Sequence, residues 1–154
     1  MSPRTISESV LRQVEPLATD DTIEVAVGRL LELDLPALPA VDPDGRYAGI
    51  FGEREFLTAL FPGYLRELKG SAFLSRGIDD ALEKREACRM EPVSRYLFTE
   101  HVEVPDDFSD TELAEIFFHH RVLIVPVLTA GHVAGIITRH EFFRAVASRF
   151  VQPS

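Results

Sequence analysis

A hydroxyl, two basic groups and a carboxylate follow one another at Thr138, Arg139, His140 and Glu141. A Thr followed three positions later by a Glu is the pattern of a helix capping box, in which each side chain accepts a hydrogen bond from the other residue's amide. The same side chains suit a binding site for a small polar ligand, because a helix N-terminus attracts anionic groups. Arg139 and His140 fit either a ligand site or a solvated first helical turn. Both interpretations, cap and ligand site, are open for Glu141.

Other reactive patterns in the chain are weak. The five histidines lie between positions 101 and 140, but His119 and His120 are adjacent and would point about 100° apart on a helix. Without an HxxxH pair or a cysteine partner, we expect no zinc site. Cys88 has no neighbouring motif for nucleophilic catalysis, so we expect it to pack the insertion helix. No phosphate-binding glycine loop or catalytic triad is visible, and the chain is predicted not to be an enzyme.

Composition and charge narrow the classes of partner. The formal net charge of −9 argues against general nucleic-acid binding, although a local positive potential can still hold a small anion. No apolar run approaches the roughly 20 residues that span a bilayer, so no membrane association is expected. The first residues lack the apolar segment of a secretory signal. A single cysteine excludes an intrachain disulfide and fits a cytoplasmic location.

The chain repeats itself at an offset of 86 residues. When residues 41–60 are laid over residues 127–146 without a gap, 8 of the 20 positions are identical, whereas unrelated segments share about one. This agreement indicates a duplicated structural unit, with two halves that bury their faces against each other. A binding crevice between the halves is therefore the first place to look for function.

Apolar spacing and turn residues predict the same elements in both copies. After a lead-in helix through Val14, copy one predicts a helix, a strand, a turn, a strand and a helix, over 21–34, 37–41, 42–45, 47–51 and 53–61. Copy two repeats this order over 107–120, 122–128, 129–131, 133–137 and 139–150. The predicted domains are residues 1–61, the first repeat with its lead-in helix, and residues 92–154, the second repeat.

Residues 62–91 separate the copies and are predicted to be a helical insertion. The sequence indicates a helical turn over 64–69, a loop over 70–77 and a charged helix over 78–90. The modest apolar stripe of this last helix favours a solvated helix on the surface, and a partner-binding helix is the alternative.

The ordered set of motifs, occurring twice, resembles a pair of cystathionine-β-synthase (CBS) domains, an arrangement called a Bateman module. The resemblance is carried by LPAVDPDGRYAGIFGEREF in copy one and IVPVLTAGHVAGIITRHEF in copy two, and covers about residues 5–61 and 92–148. It implies an α/β (α+β) fold, in which two βαββα-type repeats pack sheet to sheet around a pseudo-two-fold axis. It further implies two clefts that bind AMP, ADP, ATP or S-adenosylmethionine, a homodimer, and regulation of a partner enzyme or transporter.

In ligand-binding members of this family, a Gly-Ile-x-Thr/Ser-x-x-Asp motif contacts the ribose. Copy two matches it from Gly135 to Glu141 with Glu in place of Asp, whereas copy one also lacks the hydroxyl, having Gly52 there. In the gap-free alignment Pro39 comes one position earlier than Pro126, which has the usual order of apolar residue, Pro and Val. The resemblance therefore implies a ligand site built on copy two, with the residues Thr138, Arg139, His140, Glu141, Pro126, Val127 and Ile136.

The sequence thus predicts a stand-alone regulatory module that senses an adenosine-containing ligand in a cleft between the repeats, without a cofactor or a metal. The alternative is a ligand-free module for dimerisation or protein interaction. It is motivated by the two replacements of Asp by Glu and by the capping-box interpretation.

Overall fold

The computed structural model describes residues 6–61 and 77–152. The helical turn predicted over 64–69 and nearly all of the loop predicted over 70–77 lie outside the described residues. Within them, the first repeat contains, in chain order, β1 (Leu17–Ala18), α1 (Ile23–Leu33), β2 (Ala37–Val41), β3 (Tyr47–Gly52) and α2 (Glu53–Leu60).

The second repeat has the same order of elements. The helix of the insertion is α3 (Gly77–Lys84), and the repeat then consists of β4 (Val104–Pro105), α4 (Asp110–His119), β5 (Ile124–Thr129), β6 (His132–Thr138) and α5 (Arg139–Val151). The eight main helices and strands predicted in the two copies are all present, with ends that differ from the prediction by three residues at most. Each repeat is a βαββα unit, which confirms the mixed α and β class.

The two-residue strands β1 and β4 were not predicted. Each pairs in parallel with the following long strand, β1 with β2 and β4 with β5, and so completes a three-stranded sheet. A strand of two residues is too short to show an alternating apolar pattern, which needs at least four. These strands exist because the neighbouring long strand offers free backbone groups to pair with.

The two prolines, Pro39 and Pro126, occupy the same place in their sheets. Pro39 lies opposite Ile50 and Pro126 lies opposite Ile136 in the antiparallel pairing. The turn of copy one is one residue longer, with five residues between the paired Val41 and Tyr47, where copy two has four between Leu128 and Val133. The one-residue difference in phase was therefore an artefact of aligning the copies without a gap.

The lead-in segment is not the helix that was predicted. Only Glu8–Val10 forms a short 3₁₀ helix, and from Leu11 onward the chain is extended. The backbone of Arg12 then pairs with Ile136 in the other repeat, through bonds of 2.9 and 2.8 Å. This pairing satisfies backbone groups that a helix would otherwise bond internally, so tertiary contact overrides the helical spacing of the apolar residues.

The insertion helix is shorter than predicted. α3 ends at Lys84, and after Arg85 the chain forms a 3₁₀ helix over Glu86–Met90. The guanidinium of Arg85 donates to the Ala59 carbonyl near the end of α2, from Nε at 3.1 Å and from Nη2 at 2.9 Å. The insertion is therefore fastened to the first repeat.

A single core holds the two repeats together. β2 of the first repeat contacts β5 and β6 of the second, so the sheets face each other. The largest fully buried side chains come from both repeats and from the segment that precedes β4, and include Phe51, Leu38, Val102, Phe108 and Ile136. None of the described helices is long and apolar enough to cross a membrane.

Candidate functional site

The copy-two motif lies where β6 ends and α5 begins. Thr138 is the N-cap of α5, and its Oγ1 accepts a hydrogen bond of 3.1 Å from the Glu141 amide. The Thr138 side chain is buried, with 7% of the residue exposed, whereas Glu141 is exposed. The described residues offer no hydrogen-bond partner to the Glu141 carboxylate. Only the threonine half of the predicted capping box is formed, and the carboxylate is left available.

In copy one, only the glutamate half of the capping box is formed. The Gly52 amide donates a hydrogen bond of 2.8 Å to Oε1 of Glu55, but Gly52 has no side chain to return the bond. The half-buried carboxyl of Glu55 has its pKa raised by burial, against the lowering effect of its hydrogen bonds to the backbone. The two equivalent glutamates are therefore in different states, since Glu55 is folded back onto its own helix start and Glu141 is not.

Close packing explains why copy one lacks the motif hydroxyl. A Cβ atom at Gly52 would lie 2.5 Å from the Ala37 Cβ and 2.6 Å from the Pro36 carbonyl oxygen. Real Cβ atoms do not make such contacts, so any side chain here would push the strands β2 and β3 apart. Thr138 occupies the equivalent position in copy two.

An open cleft lies beside the copy-two motif. It has a volume of about 440 Å³ and is lined by Pro36, Leu123, Arg139, His140 and Phe143, and we call it the copy-two cleft. The Arg139 amide donates to the Leu123 carbonyl at 2.9 Å, which fixes the start of α5 against the strand edge. Ligand pockets are typically about 300–1,000 Å³ with apolar walls and a few polar groups, and this cleft falls in that range.

A much smaller cleft lies beside the copy-one motif. It has a volume of about 20 Å³, which holds about one water molecule, and Arg54, Glu55 and Ile50 line one side of it. Phe98 and Arg121, from the second repeat, line the other side. The sequence alone did not place either residue at this cleft. They lie on other segments, which only the packing of the two repeats brings to the motif.

The structure separates the seven residues predicted for the site into three groups. Arg139 and His140 line the copy-two cleft, Thr138 caps the adjoining helix, and Glu141 is exposed one turn into that helix. The predicted apolar slot is buried in the core: Pro126, Val127 and Ile136. The apolar walls of the cleft are instead Pro36, Leu123 and Phe143.

Two other predictions concern the remaining reactive residues. Cys88 is buried, as expected, and burial raises the pKa of its thiol, which disfavours the nucleophilic thiolate. Within residues 6–61 and 77–152, no three His, Cys, Asp or Glu side chains come together as a metal site would require.

Comparison with known proteins gives a consistent result. The sequence model of the CBS domain matches twice, at residues 7–62 and 93–148. A CBS domain-containing protein of Dictyostelium discoideum is 31% identical over 123 residues, which cover 79% of this chain and 77% of that protein. The crystal structure of a CBS-domain containing protein from Agrobacterium tumefaciens is 24% identical with a TM-score of 0.66, covering 93% of this chain and 91% of that one. The crystal structure of CBSX2 in complex with AMP is 18% identical with a TM-score of 0.66, covering 93% and 96% of the two chains.

Proposed function

Since this chain belongs to the CBS domain family, as a tandem pair of such domains, we propose that it is a regulatory module binding an adenosine-containing ligand in the copy-two cleft. The ligand classes are those expected from the sequence, namely AMP, ADP, ATP or S-adenosylmethionine. A CBS-pair protein of the same fold, CBSX2, has been crystallised with AMP. The module is proposed to act by binding, without a catalytic step of its own.

The observation that carries the proposal is the difference between the two clefts. The copy-two cleft has a volume of about 440 Å³, whereas the copy-one cleft has about 20 Å³. In copy two, the carboxylate of Glu141 is free to accept bonds from a ligand, while Glu55 in copy one is bonded to the Gly52 amide. We therefore propose a single working site per chain.

The side chains in the cleft and on the adjoining helix start have separate roles in this proposal. Glu141 accepts hydrogen bonds from the ribose hydroxyls, and Thr138 holds the start of α5 so that Glu141 is correctly placed. Arg139 and His140 supply positive charge for a phosphate group, at a helix N-terminus that already favours anions. Pro36 and Phe143 offer apolar surface for the base.

A thermal-shift screen tests the proposal. A ligand that binds only the folded chain stabilises it, by about 2.7 kcal/mol at a ligand concentration of one hundred times the Kd. This stabilisation raises the midpoint of thermal unfolding. We expect at least one of adenosine, AMP, ADP, ATP and S-adenosylmethionine to raise the midpoint in a concentration-dependent way, with GMP as a matched control. If none of these ligands moves the midpoint at millimolar concentration, the proposal is wrong.

A second candidate function is an interaction module whose partner is another copy of this chain. Large apolar side chains on α4 and α5 are exposed, with Phe118 84% and Phe150 85% exposed, and Val151 72%. Exposed apolar side chains of this size favour an interface, and a homodimer is the commonest way to cover one. In combination with the first function, ligand binding would shift such a dimer between shapes that a partner enzyme or transporter distinguishes.

Sedimentation velocity separates the two candidates. We expect the wild-type chain to sediment as a dimer, and Phe150→Asp to weaken the dimer because it places a charge in the apolar face. Met90→Asp, at a residue 65% exposed in the insertion, is the control and should leave the dimer intact. A dimer that forms without any nucleotide effect on thermal stability would favour the interaction module alone.

A further inference from the structure

The helices of the two repeats carry apolar side chains at equivalent positions. Leu31 on α1 lies nine residues beyond the N-cap Thr22, and Phe118 on α4 lies nine residues beyond the N-cap Ser109. Both side chains are exposed. On the neighbouring helices, Leu60 of α2 is equivalent to Val146 of α5, 86 residues later. Each repeat therefore presents an apolar helical face built from the same positions.

The insertion turns the face of the first repeat into a groove. This groove has a volume of about 330 Å³, and we call it the insertion groove. Leu31 and Leu60 of the first repeat line it together with Leu82 and Cys88 of the insertion. Gly28 of α1 also lines it and keeps it open, since a Cβ atom there would meet nothing within 4 Å.

The second repeat projects apolar side chains from the equivalent face. We call this the aromatic face, and it consists of Phe118, Val146 and Phe150, all of them exposed. Val146 and Phe150 are four residues apart on α5, so they lie on the same side of that helix. Beneath them α4 and α5 are held together by the rings of Phe117 and Phe142, whose centroids are 5.5 Å apart. The chain thus has a groove on one repeat and projecting side chains on the other.

Charged groups beside the two faces have opposite signs. Glu24 lines the insertion groove, is exposed, and takes part in none of the salt bridges found among the described residues. Glu86 and Arg89 of the same groove pair with each other at 3.7 Å. Arg149, which precedes Phe150, is exposed beside the aromatic face. Charge complementarity of this kind fixes the orientation of partners more than their affinity, and here it favours contact between unlike faces.

We infer that the chain forms an antiparallel homodimer, in which the aromatic face of each copy packs into the insertion groove of the other. This inference rests on the second candidate function, the interaction module, and does not depend on ligand binding. Two reciprocal contacts between unlike faces are related by one two-fold axis, so the assembly closes as a dimer. Contact between two insertion grooves would instead leave both of them unfilled, whereas stable interfaces are packed as densely as protein interiors.

Sedimentation equilibrium of charge variants tests the orientation. The variants of the full chain are Leu31→Asp, Phe118→Lys and a chain that carries both substitutions. Both positions are exposed, so the fold of each chain should persist, and circular dichroism checks this. Met90→Asp is the control, because Met90 is exposed in the insertion but does not line the groove.

We expect each single variant to raise the dimer Kd about tenfold or more, because each places a charge in an apolar contact. The double variant should dimerise more tightly than either single variant, since opposite charges meet at both contacts of an antiparallel dimer. Met90→Asp should match wild type. A double variant that dimerises no more tightly than the single variants contradicts the inference and leaves the homodimer standing. A wild-type chain that stays monomeric overturns both.

Crosslinking gives a second measurement of the orientation. Glu24→Cys and Arg149→Cys place a thiol beside the insertion groove and beside the aromatic face, and the native Cys88 is buried. With a short bismaleimide, we expect neither variant alone to form covalent dimers, whereas an equimolar mixture should form them. A variant that crosslinks to itself more than to the other variant would show that like faces meet.

Discussion

Arg12 and Ile136 exchange two backbone hydrogen bonds although they belong to different repeats. The equivalent residues Phe98 and Ile50 do the same in the opposite direction. Each repeat therefore pairs its lead-in segment with the motif strand of the other, and the clefts beside the motifs are lined by residues of both repeats. Because of this exchange, we do not expect either repeat to fold alone.

The lead-in segment passes so close to Gly135 that we predict no side chain can be accepted there. A Cβ atom at Gly135 would lie 2.8 Å from the Arg12 carbonyl oxygen and 3.0 Å from Cδ1 of Leu11. We expect Gly135→Ala to lower the free energy of unfolding by about 1–3 kcal/mol, because the lead-in must move away. Urea unfolding monitored by circular dichroism measures this change.

Gly28 provides the matched control for that substitution. It lies within α1, and a Cβ atom there would meet nothing within 4 Å. Gly28→Ala should raise the free energy of unfolding by about 0.5–1 kcal/mol, as alanine favours a helix over glycine. Equal effects at Gly28 and Gly135 would contradict the steric account.

The two motif glutamates are predicted to have separable effects. Glu55→Ala removes the acceptor of the Gly52 amide and should lower the free energy of unfolding by about 1 kcal/mol, with ligand binding unchanged. Glu141→Ala should change stability by less than about 0.5 kcal/mol, because the described residues offer its carboxylate no partner, but should abolish ligand binding. Thermal melts with and without nucleotide measure both effects. Loss of binding in Glu55→Ala but not in Glu141→Ala would place the ligand site in copy one and contradict the proposed function.

The hydrogen bonds accepted by Asp110 predict that the stability of the protein depends on pH. Its carboxylate accepts hydrogen bonds from the Ser7 amide at 2.9 Å and the Ile6 amide at 3.4 Å, so it ties the lead-in to the start of α4. Burial raises the pKa of Asp110, but the hydrogen bonds from Ser7 and Ile6 outweigh it and lower the pKa below the ordinary value of 3.8. Because the folded-state pKa is the lower one, this stabilisation is present above the ordinary pKa and is lost as the pH falls through the folded-state value.

Asp110→Asn measures that contribution. The variant should be less stable than wild type at pH 7, and the difference should shrink as the pH falls below about 4. Unfolding midpoints between pH 7 and pH 3 test this. A difference that stays constant with pH would show that the charge of Asp110 is not responsible.

The sequence predicted the fold because both copies carry the same local signals. The helices and long strands follow from apolar spacing and from the turns at Gly45 and Gly131, both of which have positive φ angles. β1 and β4 could not be predicted, since two residues carry no period and their pairing is decided by the neighbouring strand. The extended lead-in was missed for a similar reason, because the partner of Arg12 is 124 residues away in the chain.

The candidate site could be predicted only in part. Thr138, Arg139, His140 and Glu141 are contiguous, so a motif reveals them together. The walls of the clefts come from other segments, and Pro36 and Arg121 reach the motifs only after the repeats pack. The state of each glutamate carboxylate also depends on this packing.

The most direct test of the central claim is a crystal structure of the chain grown with ATP. We expect one nucleotide per chain in the copy-two cleft, with the ribose hydroxyls on Glu141, the phosphates near Arg139 and His140, and Glu55 still bonded to the Gly52 amide. A nucleotide in the copy-one cleft, with Glu55 released from Gly52, would contradict it.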